Sequence, residues 1–426
     1  MAPLGEGPPP ASRNGRFCRV QAPCRLPAAN PARVPRGGDG ARGAGLAMLD
    51  VLIKGGRIID PASGRDGVAD IGFGGGRIAA IGSGMPLRAE QAVDARALLV
   101  VPGLIDLHTH VYWGGTSLGV DATTVAQRSG TTTFVDAGSA GPGNFHGFRR
   151  HVIEPSPLRI LPFLNVSFPG IFAFSSAVMV GEAADLRLIE PRDCVRVVNA
   201  NRDLIVGIKV RVGRGAGGAS GIAPLEMALE IADEIGLPVM AHLDHPPPSR
   251  IEVLSRLRRG DIVTHCFRPF PNAPVRPDGR IREEVLEARR RGVIFDIGHG
   301  GGSFGFRTAE MMLEAGFLPD VISSDVHALS IDGPAFDQLV TMSKFLALGV
   351  DLGAVIRAGT AAPAAVLGRE DLGQLRVGAA GDATLLELVE GEFEFRDVLG
   401  ETRRGRQRFV MRGLVVGGHL WPEPQR

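Results

Sequence analysis

The sequence has little lysine, little cysteine and no long apolar run. Only Lys54, Lys209 and Lys344 occur among 47 Lys and Arg residues, so the other cations are arginine. A lysine kept inside an apolar strand therefore calls for a chemical reason. The cysteines, Cys18, Cys24, Cys194 and Cys266, are too few in 426 residues for a disulfide framework. That scarcity points to a reducing compartment, the cytoplasm. No apolar stretch reaches the roughly 18 residues of a membrane helix, which argues against an integral membrane protein. Neither sign of charge is in excess, since 47 Lys and Arg face 46 Asp and Glu. The balance gives no electrostatic case for nucleic acid or an anionic membrane as partner.

What is present falls into distinct stretches. Residues 1–47 are rich in Gly, Pro and Arg, carry two acids (Glu6 and Asp39) and show no hydrophobic periodicity. This composition reads as a disordered extension, or as sequence upstream of Met48 as the working start. It has no apolar core of a secretory signal. From Leu49 short alternating strands begin, LDVLIKGGRIID and VADIGFGGGRIAAIG, broken by Gly pairs. Similar strands, GDATLLELVE and RFVMRGLVVGGHLW, return near the other end.

Between them, eight apolar runs alternate with helical patterns: LLVVPGLIDLH, TTTFVDAG, RILPFLNV, LIVGIKVRV, LPVMAHL, DIVTHCF, GVIFDIGH and DVISSDVH. In PLEMALEIADEIG, Leu225, Ala228, Leu229, Ala232 and Ile235 share one helical face, and Gly236 stops it. Eight β/α units in such a length fit a TIM barrel. The expected fold is α/β: a (β/α)8 TIM barrel with a small β-sandwich domain built from both chain ends. The expected bounds are 48–103 and 371–426 for the small domain and 104–370 for the barrel.

Polar residues at C-terminal strand ends are the functional candidates of such a barrel. His108 and His110 end the first run, His242 the fifth, His265 the sixth and His299 the seventh; Asp325 lies at the end of the eighth. His108 and His110 are two apart, so both point to one side of a strand. Any one strand-end histidine is more often a hydrogen-bonded core residue than a ligand. Several on different barrel strands, with an aspartate, are a donor set for zinc. Two close metals share a nucleophile and clamp a hydrolytic transition state. Lys209 stands mid-strand in IVGIKVRV, where burial lowers its pKa. A neutral amine there can add CO2 and become an anionic carbamate, able to bridge two metals. The bland alternative is a snorkelling or ion-paired lysine.

These stretches, LLVVPGLIDLHTH, GIKVR, His242, His265 and SSDVH, resemble the amidohydrolase superfamily with a binuclear metal site. GTAAPAAVLG and GQLRVGAAGDATLLEL resemble the family's closing helix and its return to the small domain. HTHVYWGG, HPPPS and FDIGHGGGSF are most similar to the dihydroorotase-like amidohydrolase/deacetylase group. The resemblance implies a buried metal held by His108, His110, carboxylated Lys209 and Asp325, and a more exposed one held by Lys209, His242 and His265. It implies a bridging hydroxide as nucleophile and Asp325 as general base. The two divalent ions are expected to be Zn2+, although Mn, Fe or Co suit the same ligands.

The implied reaction removes an acetyl or other acyl group from a small N- or O-acylated acid. The alternative is ring opening of a cyclic amide such as dihydroorotate or a hydantoin. A scaffold relative without catalysis would have lost ligands, and a one-metal deaminase would leave Lys209 without a role. Relatives often form dimers or larger assemblies, so a homo-oligomer is expected. Arg211, two after Lys209, either holds a substrate carboxylate bidentately or pairs with a barrel acid. His299 and Gly301 in the turn after the seventh strand are further substrate-contact candidates, the bland reading being a tight turn. His327 is expected to line the mouth, and Cys266 to face away from it.

Overall fold

The structure, a computed structural model, describes residues 48–84 and 87–422. The expected extension, 1–47, lies outside the described residues. Strands β1 (Leu49–Asp60), β2 (Arg65–Gly74), β3 (Arg77–Gly82), β4 (Ala89–Asp94) and β5 (Leu99–Pro102) come first. Then follow β6 (Leu104–Thr109), β7 (Thr131–Ala137), β8 (Arg159–Asn165), β9 (Gly207–Val212), β10 (Val239–Leu243), β11 (Ile262–Val263) and β12 (Ile294–Phe295). Strands β13 (Ala383–Arg396), β14 (Thr402–Val416) and β15 (His419–Leu420) close the chain.

The two end groups join in one eight-stranded sheet, ordered β15-β14-β13-β5-β1-β2-β3 with β4 beside β1. The seam is the antiparallel pairing of β13 with β5. Alternating residues such as Val51 and Ile53, or Ile71 and Phe73, turn one face into a separate apolar core with Val100, Leu385 and Val415. The middle of the chain is a TIM-barrel-like α/β unit. Strands β6 to β12 lie side by side in chain order and run parallel. Parallel neighbours need crossovers, supplied by helices such as Pro191–Ala200, Ala223–Ile235 and Glu283–Arg291. The second of these buries Leu225, Ala228, Leu229, Ala232 and Ile235, and ends at Gly236 with φ 68°, as its spacing predicts.

Two of the eight expected strands differ. LLVVPGLIDLH is not one strand but breaks between β5 and β6, passing from the end sheet to the barrel. Pro102 has no N–H to extend a ladder. A Cβ on Gly103 would come within 2.4 Å of Thr132 Oγ1 and 2.7 Å of Asp382 Cβ, so only glycine fits the crossing. DVISSDVH forms no regular strand either. Residues 321–326 complete the ring through single parallel pairs, Val321 with Asp296 and Val326 with Thr109. On one side Ile297 and His299 N–H donate to Val321 and Ser323 carbonyls; on the other Asp325 N–H donates to His108. Asp325 has φ 48°, a left-handed conformation that interrupts a ladder. Among the described residues no helix is long and apolar enough to cross a membrane.

Candidate metal centre

The barrel brings the expected ligands to one end. His108 is near the end of β6 and His110 follows it; Lys209 lies within β9, His242 within β10, His265 two residues after β11 and Asp325 in the closing segment. All are buried, Lys209 to 1% exposure. Asp325 Oδ1 is 3.4 Å from His108 Nε2 and 3.3 Å from His110 Nε2. Lys209 Nζ is 3.3 Å from the same His108 Nε2. Donor atoms of His108, His265 and Asp325 all lie within 4.8 Å of one another. The rings of His242 and His265 are 4.5 Å apart.

Hydrogen bonds behind the imidazoles set their tautomers. His265 Nδ1 is 2.7 Å from Gly298 O, which can only accept. Thr264 Oγ1 donates to Asp296 Oδ2 at 2.7 Å, so His108 Nδ1, 2.8 Å away, donates to Thr264. Both rings therefore carry their proton on Nδ1 and leave an Nε2 lone pair for a metal. His110 Nδ1 pairs with Ser139 Oγ at 2.9 Å. His242 Nε2 is buried without a hydrogen-bond partner among the described residues. Gly298, with φ 46°, closes the space behind these rings. A Cβ there would meet Thr264 Oγ1 at 2.3 Å and the Nδ1 atoms of His108 and His265 at 2.9 Å.

Electrostatics act in the same direction. Burial, with neighbouring cations, holds His242 well below the usual imidazole range, and burial does the same to His265. His108 is lowered by burial and by Lys209. These rings are neutral, as a metal ligand must be. Burial brings Lys209 down to about 8, against the upward pull of Asp325. Burial alone would raise Asp325, yet among the histidines around it, with a hydrogen bond from His110, its carboxyl is held well below the usual carboxylate range. A converging set of neutral imidazoles, one carboxylate and a deprotonatable lysine, with an orphaned Nε2, fits divalent metal ions.

The site opens into a cavity of about 400 Å3 lined by all these candidate side chains. Arg211 and Gly301 also line it. Arg211 takes the acid pair rather than standing free: its Nη1 is 3.3 Å from Glu182 Oε2. His299 does not line the cavity. Its ring is fully buried, stacked on Phe304, with Nδ1 at Gly300 O and Nε2 2.7 Å from Lys344 Nζ. The cause is Lys344, which draws the ring away from the mouth. His327 lines the cavity, and Cys266 is buried off it. Sequence reading missed Arg268, Asp244 and the wall from the loop after β8, with Phe174, Met179 and Val180. Arg268 was open to notice, being a cation three residues after a strand-end histidine; the loop has no such signal.

A deacetylase of Agrobacterium fabrum is 37% identical over 350 residues, which cover 82% of this chain and 85% of that one. Residues 99–264 match the amidohydrolase family itself. This chain belongs to the amidohydrolase family. A deacetylase of Enterococcus faecalis is 29% identical over 87% of this chain and 99% of its own. Among solved structures of this family's fold, a dihydroorotase superposes with TM-score 0.78 at 34% identity, covering 88% of this chain and 98% of that chain. An adenine deaminase reaches TM-score 0.81 at 29% identity, over 88% of this chain and 99% of that one. The family member described here is dihydroorotase-like, and it is a metal-dependent hydrolytic enzyme.

Proposed function

We propose that this enzyme is a binuclear metal hydrolase that removes an acetyl or other acyl group from a small N- or O-acylated acid. The observation that carries the reading is the convergence of neutral His108, His242 and His265 with His110, Lys209 and ionised Asp325 on one cavity. The deacetylases among its relatives support the acyl chemistry. His108, His110, Lys209 and Asp325 would hold one divalent ion, and Lys209, His242 and His265 a second, both most simply Zn2+. Bound there, the ions would supply Lewis acidity to the carbonyl and lower the pKa of water towards ~7.

The chain's own groups do the rest. Lys209, brought down to about 8, presents a free amine that adds CO2 and releases a proton to give its carbamate. Thr264 and Gly298 O fix the His108 and His265 tautomers. Asp325 takes the proton of the attacking water and hands it to the leaving nitrogen or oxygen. Arg211 and Gly301 shape the substrate end of the cavity; His299 acts behind it.

We further read the chain as a small domain of residues 48–103 and 371–426, its sheet folding into a sandwich, around a barrel of 104–370. We take it to be a cytoplasmic protein that assembles with its own copies and acts on small molecules. A second reading, cyclic amidase, is favoured by the superposition on a dihydroorotase. The deciding experiment uses protein loaded with zinc and bicarbonate, offered N-acetyl amino acids of both hands, O-acetyl 2-hydroxy acids, dihydroorotate and hydantoins. Acetate release supports the deacylase; ring opening without acetate replaces it with the second reading.

A further inference from the structure

The cavity holds two arginines, and among the described residues only one is ion-paired. Arg211 pairs with Glu182 and lies over the Phe174 ring at 5.1 Å. Arg268 has no ion-pair partner among the described residues; its Nη2 donates to Ser303 Oγ at 2.9 Å, and its Nε is enclosed without a partner. Asp244, the acid with most influence on it, forms no ion pair with Arg268 and accepts instead from the N–H groups of Gly215 and Ala216. The Arg268 N–H donates to His265 O at 3.1 Å, which ties this arginine to a ligand-bearing turn.

A largely desolvated guanidinium stays charged and is costly without a counter-ion. Burial pulls its pKa down, with Asp244 opposing the fall and Arg211 adding to it. On one side a void of about 30 Å3, shared with Arg250 and Asn272, has room for a water only. The other side is the 400 Å3 cavity, which Arg268 and Ser303 line together with the ligand set.

We propose that Arg268, with Ser303 beside it, binds the carboxylate of the substrate and selects acids over their neutral counterparts. This rests on the acyl-hydrolase reading for its substrate. The planar fork suits a carboxylate bidentately, and the charge of Arg211 is already spent on Glu182. The arginine then positions the acyl carbonyl for attack rather than taking part in bond making.

The test compares wild type, Arg268→Met and Arg268→Lys, each metal-loaded, on an N-acetyl amino acid and its primary amide. The acid-over-amide ratio of kcat/KM should fall roughly 10- to 100-fold in Arg268→Met, mostly through KM. Arg268→Lys should recover part of it, because charge returns without the fork. An unchanged ratio would overturn the proposal. Calorimetry with lactate and lactamide on the same proteins needs no turnover. Lactate should bind the Met variant at least tenfold more weakly, with lactamide not following. Equal lactate binding by both proteins would overturn the proposal, whatever the outcome of the acyl-hydrolase test. Arg268-dependent lactate binding without any acyl release would keep the anion site and discard the deacylase.

Discussion

At the scale of single residues, Lys209 and the partners of His108 are the decisive groups. Lys209→Ala should lose bound binuclear metal and with it several kcal/mol of transition-state stabilisation, a rate factor on the order of 10^3 or more. Metal analysis and acetate release check this, and a fully active variant would remove the proposed centre. Lys209 is brought to about 8 by burial, and only the neutral amine adds CO2. At constant CO2, metal loading should therefore speed up as pH rises towards 8 and level off above it; stopped-time metal analysis from pH 6 to 9 under a fixed CO2 pressure measures the profile. Thr264→Val removes the acceptor of the His108 Nδ1 proton while keeping shape. It should cost roughly 10–100-fold in metal affinity, read by competition with a chelator. The imidazole and carboxylate donors and their strand-end positions were legible in the sequence, because residue type and strand ends are local features. The tautomers were not, because Thr264, Asp296 and Gly298 come from other strands.

At the scale of elements, the turn after β12 carries much of the site. It supplies Gly298 O to His265, positions Gly301 and Ser303 in the cavity, and seats His299 against Lys344. Gly298→Ala would place a methyl against Thr264 and two imidazoles in a left-handed backbone. The strain alone is roughly 1–3 kcal/mol. Lower unfolding temperature together with weaker metal binding is expected, and normal binding would show that the turn yields elsewhere. The helix Ala223–Ile235 was readable from period and stop signal, since local rules govern its face and end. The eighth barrel element was misread as a strand. Its pairing is set by side-chain bonds that periodicity does not encode, Ser324 to Asp106 and Ser323 to Asp296.

At the scale of the whole molecule, Lys344 ties the barrel to the end sheet. Its ammonium meets His299 Nε2, Pro334 O and Arg396 O, each at 2.7 Å. Burial nevertheless brings it down to about 7 from 10.5. The folded pKa lies below the unfolded one, so between these values the unfolded chain holds more protons. Stability relative to Lys344→Met should therefore rise with pH from about 7 towards 10.5, and stay flat below 7. Urea unfolding of both proteins across that range checks the sign; a falling difference would mean that the ammonium is the favoured buried form.

The sequence by itself determined the donor inventory, the alternation of strands and helices, and the singular position of Lys209, because these follow from residue chemistry and local periodicity. Tertiary structure alone decided how the like-looking candidates divide. Glu182, from the loop after β8, pairs with Arg211, while Arg268 has no ion-pair partner among the described residues. Lys344, from a helix beyond the closing segment, takes His299 away from the cavity. Such assignments depend on which distant side chain arrives within 3 Å or so, and hydrogen bonds and ion pairs of that range carry no trace in the spacing of the residues they join.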